Sequence, residues 1–264
     1  MQNLSNLIDS LDSAKKTVVV ADKFEITELT LNQQRKMIAS IFDTVEAPAK
    51  LALAFNEIIK DCVSFTTSNS EPITVSDRPF LLRALRDLII GNTAIKTTKD
   101  ENREEIKTEY KFVENDYSKV AKLPKNLSVM VDDSTVIHVK VPTLTRDNIV
   151  NRQLLDKINA YRRSTAAEKK SIDGGQIAVM YFTFELIKYI DKIDTASASF
   201  KFEDLLITEQ LRVIDHLKTP VVEPIIEFIK QIKESEKFAF EATNMTTGDK
   251  EVLALEHTIF SKEI

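Results

Sequence analysis

At Gly91 the chain changes its hydrophobic period, and the same change recurs near the C-terminus. DRPFLLRALRDLIIG carries Phe80, Leu81, Leu85, Leu88 and Ile89 on one helical stripe, with Pro79 suited to the first turn and Gly91 to the close. Beyond Gly91 the period falls to two. Thr93 to Thr98 and Ile106 to Val113 alternate β-branched or aromatic residues with charge across the polar turn KDENREE, which predicts a protruding β-hairpin directly after a helix. The second occurrence is a helix over Val221 to Ile232, its start restricted by Pro220 and Pro224, followed by FAFEAT, NMTTGD and KEVLALEHTIF. Upstream, FEDLLITEQLRVIDHL resembles FEITELTLNQQRKMI. Phe202 answers Phe24, Leu206 answers Leu29 after a one-residue shift, Thr208 answers Thr30 and Gln210 answers Gln33. The expectation is an internal duplication: an α+β chain, mainly helical, built from two similar helix-plus-hairpin units.

The remaining segments fill in that plan. Leu4, Leu7, Ile8 and Leu11 place a short amphipathic helix at the N-terminus. Thr30 and Gln33 fit a capping box for a helix over Leu31 to Asp43, and a second helix fits Ala47 to Val63. A further strand pair fits Leu127 to Val131 and Val136 to Val141. Thr145 or Asp147 then opens a helix through Ile149, Leu154, Leu155 and Ile158, and a long apolar helix covers Ile172 to Ile193. These readings divide the chain into an arm (1–22), an N-terminal helix and hairpin domain (23–160), a basic linker (161–175) and a C-terminal helix and hairpin domain (176–264).

Composition narrows the chemistry. The 264 residues carry a net charge of −5, with four Gly, three His, one Cys and no Trp. Gly174-Gly175 is the only adjacent glycine pair and has no Lys-Ser/Thr behind it, so the usual phosphate-cradling loops are not expected. Cys62, His138, His216 and His257 do not fall at zinc-ligand spacing, and the acidic pairs Asp100-Glu101, Glu104-Glu105 and Asp132-Asp133 follow no calcium-loop pattern. No cofactor or metal is expected. MQNLSNLIDSLDSAKK lacks the marks of a signal peptide, and no apolar run approaches the roughly 18 residues of a spanning helix; the expectation is a soluble, cytoplasmically made chain without a membrane partner.

Candidate functional residues are correspondingly few. Arg83 and Arg86 share a helical face, and Arg83 precedes Asp87 by four residues. With Arg78 they form either an internal salt-bridge network or a set of forked contacts to another subunit. Phe238, Phe240, Leu253 and Leu255 alternate along the last hairpin, which cannot stabilise itself alone and must lie on a core or on another chain. These seven residues are the candidate partner interface. A rival reading is a small hydrolase or transferase using His216 or His138 with a carboxylate from a distant segment. A third is nucleic-acid binding through Tyr161 to Lys170, although Arg162-Arg163 and Lys169-Lys170 lack interleaved aromatics and read better as a solvated linker.

The order of segments also resembles a known family. FEITELTLNQQRKMIASI, the helix ending NEIIKDCV, DRPFLLRALRDLIIGN with its hairpin, VIHVKVPTL, ITEQLRVIDHL and PVVEPIIEFIKQI look like the baseplate hub proteins of T-even-type contractile-tailed bacteriophages. Those proteins comprise a hub subunit and a related hub-assembly protein. The resemblance implies a structural or assembly protein and not an enzyme, with no catalytic residues to carry over. It implies other baseplate or tail hub proteins as partners, admits a homo-oligomer, and places the chain in the virion tail baseplate or in the host cytoplasm during assembly.

Overall fold

The computed structural model describes residues 15–33, 35, 46–67, 71–101, 103–168, 170–255 and 258–264. The expected N-terminal amphipathic helix, most of the helix expected over Leu31 to Asp43, and His257 lie outside the described residues. The capping box that should open the latter helix is present. The Thr30 amide donates to Gln33 Oε1 at 2.7 Å, and the Gln33 amide donates back to Thr30 Oγ1 at 3.4 Å.

Eleven strands and seven α-helices follow in order among the described residues. Strands β1 (Thr17–Val20) and β2 (Phe24–Thr27) lead to helix α1 (Ala47–Cys62) and strand β3 (Val63–Phe65). A 3₁₀ turn (Val75–Asp77) opens α2 (Arg78–Ile89), which precedes β4 (Thr93–Lys99) and β5 (Glu105–Phe112). One turn of helix, α3 (Ser118–Ala121), comes before β6 (Asn126–Asp132), β7 (Thr135–Lys140) and α4 (Leu144–Ala167). Next come α5 (Gly174–Tyr189), β8 (Ile190–Asp194), β9 (Ser199–Lys201), α6 (Ile207–His216), α7 (Thr219–Glu236), β10 (Ala239–Asn244) and β11 (Lys250–Ala254).

Local chemistry explains most of these boundaries. Pro79 sits in the first turn of α2, where its missing N–H costs nothing. Gly91 ends that helix at φ +89°, a conformation that favours glycine. Asp173 caps α5 by accepting from the Gly175 amide at 2.8 Å.

The expected mainly helical chain of two helix-plus-hairpin units is not what forms. The strands build three antiparallel sheets, in the orders β1-β2-β3, β11-β10-β5-β4 and β6-β7-β8-β9. The two hairpins expected to crown separate units instead pair with each other, Ala242 opposite Phe112 and Asn244 opposite Tyr110. The physical reason is the one that makes a lone hairpin marginal: each needs a covered face and paired edges, and each supplies them to the other. The additional pair β6-β7 likewise gains β8 and β9, because Ile190 to Ile193, expected at the end of a long helix, leave α5 within a strand beside β7. Ile190 and Ile193 are β-branched, and β7 supplies the ladder their backbone lacks.

The apparent repeat also separates in three dimensions. Phe24 belongs to a strand and Phe202 to a 3₁₀ turn, although both are buried. Where Thr30 and Gln33 make the first capping box, the equivalent contact at α6 is the Leu206 amide donating to Glu209 Oε2 at 2.8 Å, two residues away from the Thr208 alignment. Helix α4 begins at Leu144, earlier than expected, with Thr143 Oγ1 accepting from the Arg146 amide. Residues 161–167 are its last turns. Buried side chains from all three sheets and from six of the helices form one apolar cluster.

Candidate functional site

The seven residues singled out from sequence do not form one patch: Arg83 and Phe240 meet at one seam inside the molecule and Arg78 lies in a separate cluster. Arg83 is 2% exposed and Arg86 fully buried. Arg83 Nε donates to Asp87 Oδ1 at 2.8 Å, and its guanidinium lies over the rings of Phe112 (4.3 Å) and Phe240 (5.3 Å). Arg86 donates to the carbonyls of Gly91 and Thr93 at 2.7 Å each and of Ser261 at 3.3 Å. Burial lowers its pKa to about 10, which leaves it charged at neutral pH. Phe238, Leu253 and Leu255 are buried and Phe240 is half-buried. In the described structure these arginines therefore satisfy their own chain. Arg86 clamps the end of α2 to the start of β4 and to the C-terminal segment, and Arg83 covers the seam where β5 meets β10.

Arg78 belongs to a second buried cluster, centred on Asp147. That carboxylate accepts from Arg78 Nη2 at 2.8 Å, from Asn56 Nδ2 at 2.8 Å and from Lys188 Nζ at 2.9 Å. Burial opposes its ionisation, yet Lys188 and Arg78 outweigh that and hold its pKa well below the usual carboxylate range. Lys188 also meets Glu185, which reaches Lys233 of α7 at 3.3 Å. Nearby Glu236 moves the other way. Burial raises its pKa to about 7.

The placement of this cluster follows the chain. Asp147 lies in the first turn after β7, and Lys188 in the last turn before β8. Their ion pair closes the base of the α4–α5 excursion, and Arg146 Nη2 donates to the Ile187 carbonyl at 3.0 Å beside it. Helix spacing marked Arg83 with Asp87, but nothing local in the sequence pairs Asp147 with Lys188. Among the described residues no group of three or more His, Cys, Asp or Glu side chains could hold a metal.

Of the rival catalytic histidines, His216 ends α6 with Nδ1 at 2.7 Å from the Arg212 carbonyl. His138 has the more interesting surroundings. Its Nε2 stands 2.8 Å from Asp194 Oδ2 and its Nδ1 3.0 Å from Ser128 Oγ. Asp194 also accepts from Lys192 (2.8 Å) and Ser199 (2.6 Å), bonds that with His138 draw its pKa down to about 2. Ser128, His138, Lys192 and Lys201 stand in one cross-strand row on the outer face of the β6-β7-β8-β9 sheet. Cys62 is buried, and burial pushes its thiol up to about 11, unreactive at neutral pH.

Concave surface occurs elsewhere. A cavity of about 1190 Å³ is an open groove between α2 and the segment after β5, with Val18 and Val20 at one wall. A cleft of about 440 Å³ lies between Lys23, α3 and the start of β6. The surface also carries uncovered apolar side chains. Ile172, Val179 and Phe182 are exposed at or near the N-terminal half of α5, Val18 and Val19 on β1, and Val252 on β11. No helix among the described residues is long and apolar enough to cross a membrane.

Comparison with curated proteins and with solved structures yields no match. The family model described as T4 bacteriophage base plate protein matches residues 7–258, nearly the whole chain, and so includes all three sheets and both buried clusters. A fold whose charged clusters serve its own interior while some apolar side chains among the described residues stay exposed is coherent with that match: the chain belongs to the T4 bacteriophage base plate protein family.

Proposed function

We propose that this chain is a component of the hub of a contractile-tail baseplate, either built into the hub or chaperoning its assembly. It acts through protein–protein contacts and not through chemistry. The observation that supports the reading is the family match over residues 7–258, on a chain whose described surface leaves apolar helix and strand positions uncovered. Exposed apolar side chains grouped on one element are commonly interaction sites, and strand edges offer unpaired N–H and C=O groups to a partner. Mass spectrometry of purified virions tests the proposal. Stoichiometric presence in tails supports a hub subunit; absence from tails with a hub-assembly defect on deletion supports a chaperone. Failure to associate with any tail protein in infected cells overturns both.

The Ser128–His138–Asp194 chain gives a hydrolase reading one specific support, since its distances are those of a nucleophile, base and orienting acid. Two features weigh against it. The three groups lie on an open sheet face, and Lys192 occupies the same carboxylate oxygen as the histidine. A fluorophosphonate probe that labels wild type but not Ser128→Ala would establish that reading; no labelling removes it.

A further inference from the structure

The outer face of the β6-β7-β8-β9 sheet and the cleft at its edge carry a charge pattern opposite to that of the whole chain. Lys140, His138, Lys192 and Lys201 project from neighbouring positions of β7, β8 and β9, in a protein of net charge −5. Of the carboxylates there, Asp194 is already held by Lys192, His138 and Ser199, and Asp191 and Glu203, which border Lys140, face the Arg146 guanidinium. At the Lys140 end the face runs into the cleft of about 440 Å³, where Lys23 and Lys125 join Lys140 around walls supplied by Leu123, Pro124 and Val141. The cleft carboxylates are likewise engaged, Glu71 with Lys125 at 2.6 Å and Asp77 with Tyr117 and Thr74. The side chains of Lys140 and Lys201 make neither an ion pair nor a hydrogen bond among the described residues, and Lys140 acts on Glu71 only through space.

We propose that this cleft and sheet face dock an acidic segment of another protein, one with apolar side chains interleaved, its carboxylates reaching Lys125, Lys140 and Lys201 and an apolar side chain entering the cleft. The proposal rests on the reading of the chain as a baseplate assembly part and names the chemistry of one partner. Charge complementarity selects this occupant. A second copy meeting this face across a two-fold axis would set lysines against lysines. Single-stranded nucleic acid would need a series of stacking rings, and the outward row offers one imidazole, His138, already tied to Asp194 and Ser128.

The test uses the full chain and a fluorescein-labelled peptide of alternating Glu and Leu, read by fluorescence anisotropy. Wild type is expected to bind it, with affinity falling several-fold between ~20 and ~200 mM NaCl as the charges are screened. The triple variant Lys125→Glu, Lys140→Glu, Lys201→Glu should lose about tenfold or more in affinity, and the milder Lys140→Gln, Lys201→Gln should fall between the two. Circular dichroism melts of all three proteins show whether the fold is kept; should the triple variant fail to fold, the Gln pair decides alone. Unchanged affinity in the folded variants, tighter binding of a single-stranded oligonucleotide than of the peptide, or a wild-type dimer that the same substitutions dissociate would each overturn the proposal. Virion incorporation is read separately. Peptide binding lost in a variant still packaged in tails keeps the docking surface apart from the hub assignment, and a chain that binds peptide but never enters or assists tails fails only the latter.

Discussion

The two four-stranded sheets share a plan and differ in where they keep their cations. Each joins a hairpin from the first half of the chain to one from the second, β5 to β10 in one and β7 to β8 in the other. In the first sheet the inner face holds Phe112 and Phe240, and two arginines of α2 are drawn in over those rings. In the second the inner face is aliphatic, with Val129, Ile137 and Val139 buried, and the cations stand outside on the opposite face. A guanidinium is weakly hydrated and stacks on aromatics, so an aromatic seam can take it in. An ammonium facing aliphatic side chains keeps its water. Where the second sheet does use a buried lysine, Lys188, it sits at a helix–strand junction and is held by carboxylates.

That contrast can be broken from its strongest point downward. Asp147→Asn keeps the shape but leaves Lys188 and Arg78 without their counter-charge, so urea denaturation should show a loss of about 3–5 kcal/mol. A loss no larger than that of a surface pair would mean that the junction does not hold the second sheet. Arg86→Met strands the carbonyls of Gly91 and Thr93 and should cost about 2–3 kcal/mol by the same measurement, the first sheet's counterpart.

Glu236 adds a pH signature to the junction cluster. Its folded pKa, about 7, lies above the ordinary glutamate value, so its contribution is fully present below about pH 4.5 and is lost as pH rises through 7. Stability should therefore decline over that window by on the order of 2 kcal/mol, and Glu236→Gln should flatten the slope. Asp147 has the opposite sign. With its pKa depressed, its contribution is present at neutral pH and is lost only in strong acid. The smallest effect belongs to the outer face: Lys192→Met removes an exposed ion pair with Asp194 and should leave the urea midpoint close to that of wild type.

Much of the local structure was legible before the tertiary structure. The period change at Gly91, the Thr30–Gln33 box, the bounds of α1 and α2 and the hairpins β4-β5 and β6-β7 all follow from side-chain spacing and capping chemistry, which act within a few residues. What failed was assembly. Two helix-and-hairpin stretches read as separate units because each is locally complete, whereas the hairpins needed one another's edges. The seven residues marked as a partner interface were picked for charge and apolar alternation that must be covered, and the sequence does not say by what. His138 could be matched only with an unspecified distant carboxylate; its neighbours Ser128 and Asp194 come from two other strands, and no spacing rule links positions 128, 138 and 194.

By itself, then, the sequence determined most of the helices and the hairpins β4-β5, β6-β7 and β10-β11, the absence of familiar phosphate or zinc motifs, and a resemblance whose coarse form, a T4-type baseplate protein, is the family the chain belongs to. Only the tertiary structure decided which hairpins share a sheet, that Arg83 and Arg86 turn inward, and that Asp147 anchors the return of the chain into the second sheet. The division has one physical cause. Period, capping and turn chemistry are set by near neighbours, while strand partnership and the burial of a charge depend on which distant surface offers a ladder, a ring or a counter-ion.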